Sequence, residues 1–367
     1  MGLPDLTCPA CSRTYAADRD APWRCECGHA LDFAERPRPE GPPTDPGDLD
    51  RDRGLWAFDG WLPVGPRVTL GEGWTPLVDA PDWGATFKLD YLAPTGSFKD
   101  RGAATTLSLA ATLGVDRVVE DSSGNAGAAI AAYAARAGLE AEIFVPANAP
   151  TAKLAAIEHA GADVVRVTGD RAAVAEACQT RVDSGGGWYA SHAWNPAFFA
   201  GTATFALECA AQRDWNPPDA VVLPVGHGTL LLGAYRGFAA LHEAGWIADV
   251  PRLLAVQAAG HAPLAAELHP DDARRDAGDE NALADGIQVD VPARPDEQVA
   301  ALEATGGDAI AVGEAEVHEA LEALRRGGFD VEPTSAAAPA GLRAFRERGV
   351  LAPDDDVVVP LTGRSKG

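Results

Sequence analysis

The sequence predicts an α/β protein with two sheets, and three observations carry that reading. Short apolar runs alternate with alanine-rich helical stretches from about residue 85 to residue 361. Strands separated by helices of this length need crossover connections, so they pair in parallel. The third observation is size: 367 residues with 46% hydrophobic content suffice for two packed domains and a small appendage.

The appendage comes first. Residues 1–33 hold four of the six cysteines, as Cys8-Pro9-Ala10-Cys11 and, thirteen residues later, Cys25-Glu26-Cys27. Two knuckles so spaced suit a four-thiolate zinc site, each gripping one side of a tetrahedral ion. His29 is an alternative ligand. A disulfide pair is the plainer reading, which a cytosolic setting disfavours. Residues 1–36 carry four arginines against six acids, so a structural cap fits better than a nucleic-acid-binding ribbon. From Ala34 to Gly54, prolines at 37, 39, 42, 43 and 46 sit among Asp, Glu and Gly. That composition reads as an extended linker, and residues 34–64 as linker and arm.

Beyond the arm, strand-like runs cover 85–89, 117–120, 141–145, 164–167, 220–225, 253–257 and 357–361. Helix candidates between them include 101–113, 125–137, 149–159 and 230–243. Cys178 and Cys209 fall on helical stretches and are expected to be packed core thiols.

Net charge is −24, from 54 acids against 30 basic residues, and only four of the basic residues are lysines. An acidic shell with lysine suppressed suits a salt-rich cytoplasm, where screening tolerates self-repulsion. Docking of a basic partner is the alternative. Either way the surface repels phosphate backbones, so nucleic acid is an unexpected partner. No run of 18 apolar residues predicts a membrane span, and no secretory pattern opens the chain, so a cytoplasmic location is expected.

The chemistry concentrates in six runs. Lys99, in Pro94-Thr95-Gly96-Ser97-Phe98-Lys99-Asp100-Arg101-Gly102, stands between a Gly-Ser turn and a helical stretch. That placement suits an amine that must be held fixed and partly desolvated to condense with an aldehyde, although a solvated surface lysine is the commoner case. Glu120-Asp121-Ser122-Ser123-Gly124-Asn125-Ala126-Gly127 follows a strand and opens a helix, where small residues let backbone N–H groups approach an anion. Pro224-Val225-Gly226-His227-Gly228-Thr229-Leu230 makes a second such joint. Its glycines fail the dinucleotide spacing at the third position. The remaining runs are Leu70-Gly71-Glu72-Gly73-Trp74-Thr75-Pro76-Leu77 with Glu332-Pro333-Thr334-Ser335-Ala336-Ala337, and Val357-Val358-Val359-Pro360-Leu361-Thr362-Gly363.

Together, in this order, these runs resemble pyridoxal-phosphate enzymes of fold type II, the tryptophan-synthase-β-like group, and threonine synthases within it. The resemblance implies a two-domain α/β fold with an N-terminal zinc-ribbon-like segment. Residues 99–204 would form the small domain, and 65–98 with 205–367 the large one. It also implies pyridoxal 5′-phosphate joined to Lys99, with Asn125 on its ring oxygen and Thr362 beside its ring nitrogen. Its phosphate would lie on Gly226, His227, Gly228, Thr229 and Leu230. The substrate carboxylate would lie on Ser122, Ser123, Gly124, Asn125 and Ala126. Metal, if zinc, would be held by Cys8, Cys11, Cys25 and Cys27.

The implied activity is a lyase reaction on a small amino-acid substrate, threonine-synthase-like: O-phosphohomoserine and water to threonine and phosphate. Serine or threonine dehydration is the alternative. A non-catalytic cofactor- or amino-acid-binding regulator is a third reading, which an intact Lys99, Asn125 and Thr362 disfavours. A homodimer is compatible with all three. The chain departs from the family in two places. Phe198 and Ala203 stand where threonine synthases carry phosphate-gripping Arg and Lys, with His192, Arg101 and Lys153 as candidate replacements. The ending Arg364-Ser365-Lys366-Gly367 also differs, which affects the final turn.

Overall fold

A computed structural model describes residues 2–270 and 280–365, so Lys366 and Gly367 of the divergent ending lie outside the described residues. An antiparallel three-stranded sheet comes first, in the order β2-β1-β3, with β1 (Leu6–Thr7), β2 (Thr14–Tyr15) and β3 (Asp32–Phe33). β4 (Leu77–Ala80) and β5 (Ala85–Lys88) follow as a hairpin pair. Then α1 (Lys99–Thr112), β6 (Arg117–Glu120), α2 (Asn125–Ala137), β7 (Glu140–Pro146), α3 (Thr151–His159), β8 (Asp163–Val167), α4 (Arg171–Asp183) and β9 (Trp188–Tyr189) alternate. α5 (Pro196–Gln212), β10 (Ala220–Pro224), α6 (Thr229–Glu243), β11 (Arg252–Ala258) and α7 (Pro263–Leu268) continue the pattern. It ends with α8 (Pro295–Thr305), β12 (Asp308–Val312), α9 (Glu314–Arg326), α10 (Pro333–Glu347) and β13 (Val357–Pro360). No helix among the described residues is long and apolar enough to cross a membrane.

The α/β strands form two sheets. One has the order β8-β7-β6-β9 and is wholly parallel; the other is β12-β11-β10-β13-β5-β4, parallel except for the edge strand β4. Both sheets are covered on both faces, which is why their strands read as unbroken apolar runs. Along β10, Val221 and Leu223 pack among the residues of α5 and α6, while Val222 faces α9 and α10. β11 divides likewise, with Leu253 and Ala255 on one side and Leu254 and Val256 on the other. That is the period-two alternation of a strand. In the smaller sheet, Val118, Ile143 and Val145 pack against α1, α2 and α3, while Val119 and Phe144 face Val174 and Cys178 of α4. Cys178 and Cys209 are buried free thiols.

Two expectations need correction. Residues 34–50 are mostly exposed, but 51–64 are no loose arm: Leu55, Trp56, Phe58, Leu62 and Val64 are buried. The proline-rich composition ends at Gly54 and the apolar residues after it pack. α5 also runs unbroken across position 204, because Asn195 caps it through the Ala197 N–H (3.0 Å) and its one glycine, Gly201, serves close packing on Arg101 of α1. The last turn is closed despite its divergent sequence, the Arg364 N–H donating to the Gly96 carbonyl at 2.8 Å.

A buried ionic network ties α1 to β5 and α5. The Arg101 guanidinium donates to Asp90 (2.8 Å) and Glu208 (2.5 Å), and the Lys88 ammonium donates to Glu208 (2.9 Å), the Thr75 carbonyl (2.7 Å) and Gln212 (2.7 Å). All four charges are at most 1% exposed, and two cations balance two anions. Arg101 is therefore committed here and is not free to grip a phosphate. Burial by itself would raise the Glu208 carboxyl; Arg101 and Lys88 reverse that and hold it at about 2. Its contribution to stability is thus intact above the ordinary 4.5 and lost as pH falls towards 2. Glu208→Ala, which removes the carboxylate shared by two buried cations and leaves Lys88 without a charged partner, should cost about 3–5 kcal/mol in urea unfolding at pH 7. A loss below about 1 kcal/mol would mean the network does not hold this junction.

Candidate active site

Lys99 is the first residue of α1, and its ammonium lies over the Phe98 ring, 4.0 Å from the centroid. The turn before it is fixed by the end of β13. The Phe98 N–H donates to the Thr362 carbonyl (2.9 Å), Ser97 bridges Gly363, and the Thr362 N–H donates to Ser335 Oγ (2.8 Å). Thr362 is 2% exposed. The small-residue loop 122–127 reaches the same place from the other sheet. Asn125 Nδ2 donates to Glu332 Oε1 at 2.8 Å, and the Glu332 N–H donates to the Gly363 carbonyl at 3.0 Å. Ser122 Oγ accepts from the Gly124 N–H (3.3 Å), and Ser123, Gly124 and Ala126 lie along the same turn into α2. Gly127 must be glycine, because a Cβ there would fall on the Ser122 carbonyl.

The loop 226–230 closes the third side. Gly228 has φ +74 and caps α6, whose first residues are the buried Thr229 and Leu230. A Cβ on Gly228 would sit 2.6 Å from Gln298 Cδ, and one on Gly226 3.1 Å from Val289. The backbone therefore presents the start of a 15-residue helix without side chains in front of it, the form of an anion cradle. The His227 carbonyl accepts from Gln298 Nε2 (3.1 Å). Among the expected residues, those near Lys99, Asn125, Gly228 and Thr362 thus meet where the two sheets adjoin.

Sequence reasoning named His192 and His227 separately but missed the group they form with Glu120 and Arg171. His192 Nδ1 is 2.6 Å from Glu120 Oε1, the His192 and His227 rings are 5.3 Å apart edge to face, and His227 Nε2 is 3.2 Å from Arg171 Nη2. Glu120 begins the Ser-Gly-Asn run, so an acid at that strand end was the available signal. Burial raises the Glu120 carboxyl to about 8, against His192, Arg171 and Lys99. Burial lowers the His192 imidazole to about 3, aided by Lys99. Both shifts favour an uncharged pair. The other expected grips are occupied elsewhere. Lys153 pairs with Asp285 across the gap between the sheets. Phe198 packs fully buried on Gly102. Ala203 sits where α5 crosses α6, beside Gly237, in a groove with Phe33 and Arg236.

At the N-terminus the four sulfurs of Cys8, Cys11, Cys25 and Cys27 lie within 4.8 Å of one another, with Cys8–Cys27 at 3.5 Å and Cys11–Cys25 at 3.4 Å. Zinc–sulfur bonds of about 2.3 Å would set tetrahedral edges of about 3.8 Å, so this cluster could hold a metal. His29 Nδ1 is 3.5 Å from Cys27, outside the set of four.

The family model described as pyridoxal-phosphate dependent enzyme matches residues 68–363. The threonine synthase of Methanocaldococcus jannaschii is 31% identical, the match covering 97% of this chain and 91% of that protein. The threonine synthase of Methanosarcina acetivorans is 32% identical over 84% of this chain and 79% of its own. Among solved structures, a fungal L-serine ammonia-lyase from Rhizomucor miehei is similar at TM-score 0.67 and 26% identity, covering 80% of this chain and 94% of its own.

Burial pushes the Lys99 amine down from 10.5 to about 8, with Glu332 and Glu120 opposing and Arg171 assisting. Lys99 should therefore react with an aldehyde probe with a midpoint near pH 8, measured site by site by mass spectrometry on cofactor-free protein. A midpoint near 10.5 would refute the desolvated placement.

Proposed function

The chain belongs to the pyridoxal-phosphate-dependent enzyme family, and on that premise we propose that it is a threonine-synthase-like lyase. Its reaction would expel an oxygen group from the γ-carbon of a homoserine derivative and add water at Cβ, O-phosphohomoserine being the leading substrate. The observation that carries the reading is Lys99, an amine near pH 8 set between three backbone loops that meet from two sheets. The residues fit the cofactor: Lys99 would take its aldehyde carbon, the loop 226–230 its phosphate, Asn125 its ring oxygen and Thr362 its ring nitrogen. A hydroxyl cannot protonate that nitrogen as an acid would. When bound, pyridoxal phosphate supplies a sink for the electrons released at the substrate's Cα.

The chain's own residues do the rest. The loop 122–126 would orient the substrate carboxylate with its N–H groups and the start of α2. Lys99 Nζ, half-deprotonated near pH 8, would lift the Cα proton. The contacts Asn125–Glu332, Lys153–Asp285 and Arg171–His227 all join the smaller sheet's layer to the larger one's and would exclude water from the reacting atoms. The ribbon would bind one zinc through Cys8, Cys11, Cys25 and Cys27. It would thereby staple two short hairpins that dock through Trp23, edge-on to Tyr189 (5.3 Å) and Trp194 (5.0 Å).

One observation favours dehydration of serine or threonine as a second reading: Phe198 and Ala203 supply no charge for a phosphate dianion.

Purified protein with added cofactor should absorb near the visible edge of the ultraviolet, where lysine-bound pyridoxal phosphate absorbs, and Lys99→Ala should abolish that band. Phosphate release from O-phosphohomoserine, assayed beside keto-acid formation from threonine, separates the two reactions; keto acid alone would reject the synthase reading. Elemental analysis should find about one zinc per chain. Finding none after chelator-free purification would reject the metal site.

A further inference from the structure

Two side-chain atoms in the wall beside Lys99 are buried and without a hydrogen-bond partner: Glu120 Oε2 and His227 Nδ1. Unpartnered polar atoms in a folded interior call for a ligand or a reacting group. Glu120 itself is 0% exposed, held by His192 through its other oxygen at 2.6 Å. The groups facing it come from every neighbouring element: Asp121 on its own strand end, Lys99 from α1, Arg171 and Cys178 from α4, and Tyr189 and His192 from β9 and the turn after it. Among these Lys99 and Arg171 are the cations, His192 being kept neutral by burial, and Arg171 is exposed. The wall offers a proton and little positive charge.

Resting on the reaction proposed above, we infer that the Glu120–His192 pair delivers a proton to the side-chain oxygen that leaves the substrate, so that this site takes amino acids whose leaving group carries at most one negative charge, O-phosphohomoserine in its monoanionic phosphate form included. The step balances. The carbon–oxygen bond breaks with its electron pair staying on the oxygen, the pair of a Cβ–H bond forms the new Cβ–Cγ double bond, and the proton of the Glu120–His192 pair moves to the leaving oxygen. The pair is left as an anion beside Arg171 and beside a Lys99 that, having handed on the Cα proton, has just gained the Cβ proton, and water restores the pair's proton once product leaves. Burial that favours the protonated carboxyl supports this role, since a carboxylate already ionised at pH 7 would have nothing to give.

The test uses cofactor-loaded wild type and Glu120→Gln on three substrates with the same backbone: homoserine, O-acetylhomoserine and O-phosphohomoserine. A general acid contributes about 10²–10⁴-fold, and more the poorer the leaving group. Glu120→Gln should therefore lose about 10²-fold or more in kcat on homoserine and less than about tenfold on O-acetylhomoserine, with KM little changed. Wild-type kcat/KM on O-phosphohomoserine should fall above the phosphate's second ionisation near pH 6, while that on the acetyl ester should not.

Equal losses on all leaving groups, or none, overturn the inference and leave the proposed reaction standing. Failure of wild type to bind cofactor or to turn over any of the three overturns both. Nitrogen NMR on cofactor-free wild type gives an independent reading: the His192 ring should stay neutral well below pH 6, and titration near its ordinary 6.5 would overturn the pairing.

Discussion

The structure turns on the neutral ionic cluster of Lys88, Asp90, Arg101 and Glu208, because it holds Lys99 where two sheets meet. Arg101 lies two residues after Lys99 on the same helical turn, so fixing its guanidinium on both Asp90 and Glu208 fixes the start of α1. Thr75 completes the cluster, its hydroxyl donating to Asp90 Oδ1 (2.6 Å) and its carbonyl accepting from Lys88 and Gln212. A cluster of this kind adds little net stability over an apolar core, but it tolerates one arrangement only. Specific placement of one helix end is what a covalently used lysine requires.

The same reasoning explains runs that the sequence marks without explaining. Gly73, with φ +102, brings its chain against the Leu55 N–H and Glu208 Oε1, where a Cβ would stand 2.5 and 2.8 Å away. Glu72 accepts from the Tyr133 hydroxyl at 2.9 Å and so ties this run to α2 of the smaller sheet's layer. The stretch 70–77 thus acts as a strap across the junction. Its motif was legible as a family resemblance; its mechanical role was not, because Glu208 and Gln212 lie more than a hundred residues away along the chain.

Legibility in the sequence followed the range of the interaction responsible. β6 spans Arg117–Glu120 and α2 spans Asn125–Ala137, as their apolar run and glycine joint predict, since period and capping are local. The two cysteine pairs at the N-terminus were legible for the same reason, each being a short loop with its own sulfurs. What a proline-rich composition hid was the packing of Trp61 against Trp215 and Trp246, at 6.3 and 4.9 Å between rings, which depends on partners from α5's exit and the turn after α6. Likewise Glu332 read only as part of a run that resembles the family; the fold shows it meeting Asn125 from the opposite layer.

Charge economy in the cleft then follows from what α5 contributes. Phe198 spends its position on packing: Gly102 has no side chain, and the ring fills the space a Cβ would occupy. A cation there would have to be buried next to Lys99 and would drive that amine lower still, since like charges disfavour the protonated form. With Phe198 in place, the cation that lowers Lys99 is the exposed Arg171, and Glu332 and Glu120 oppose it. The amine settles near pH 8 as a balance of burial against two acids, of which Glu332 also anchors a contact that joins the layers, to Asn125, while Glu120 is held by His192 within the smaller sheet's own layer. Closing the cleft and setting the proton affinity of its lysine are therefore linked through Glu332, because moving it away would open a contact and release the amine from an opposing charge at once.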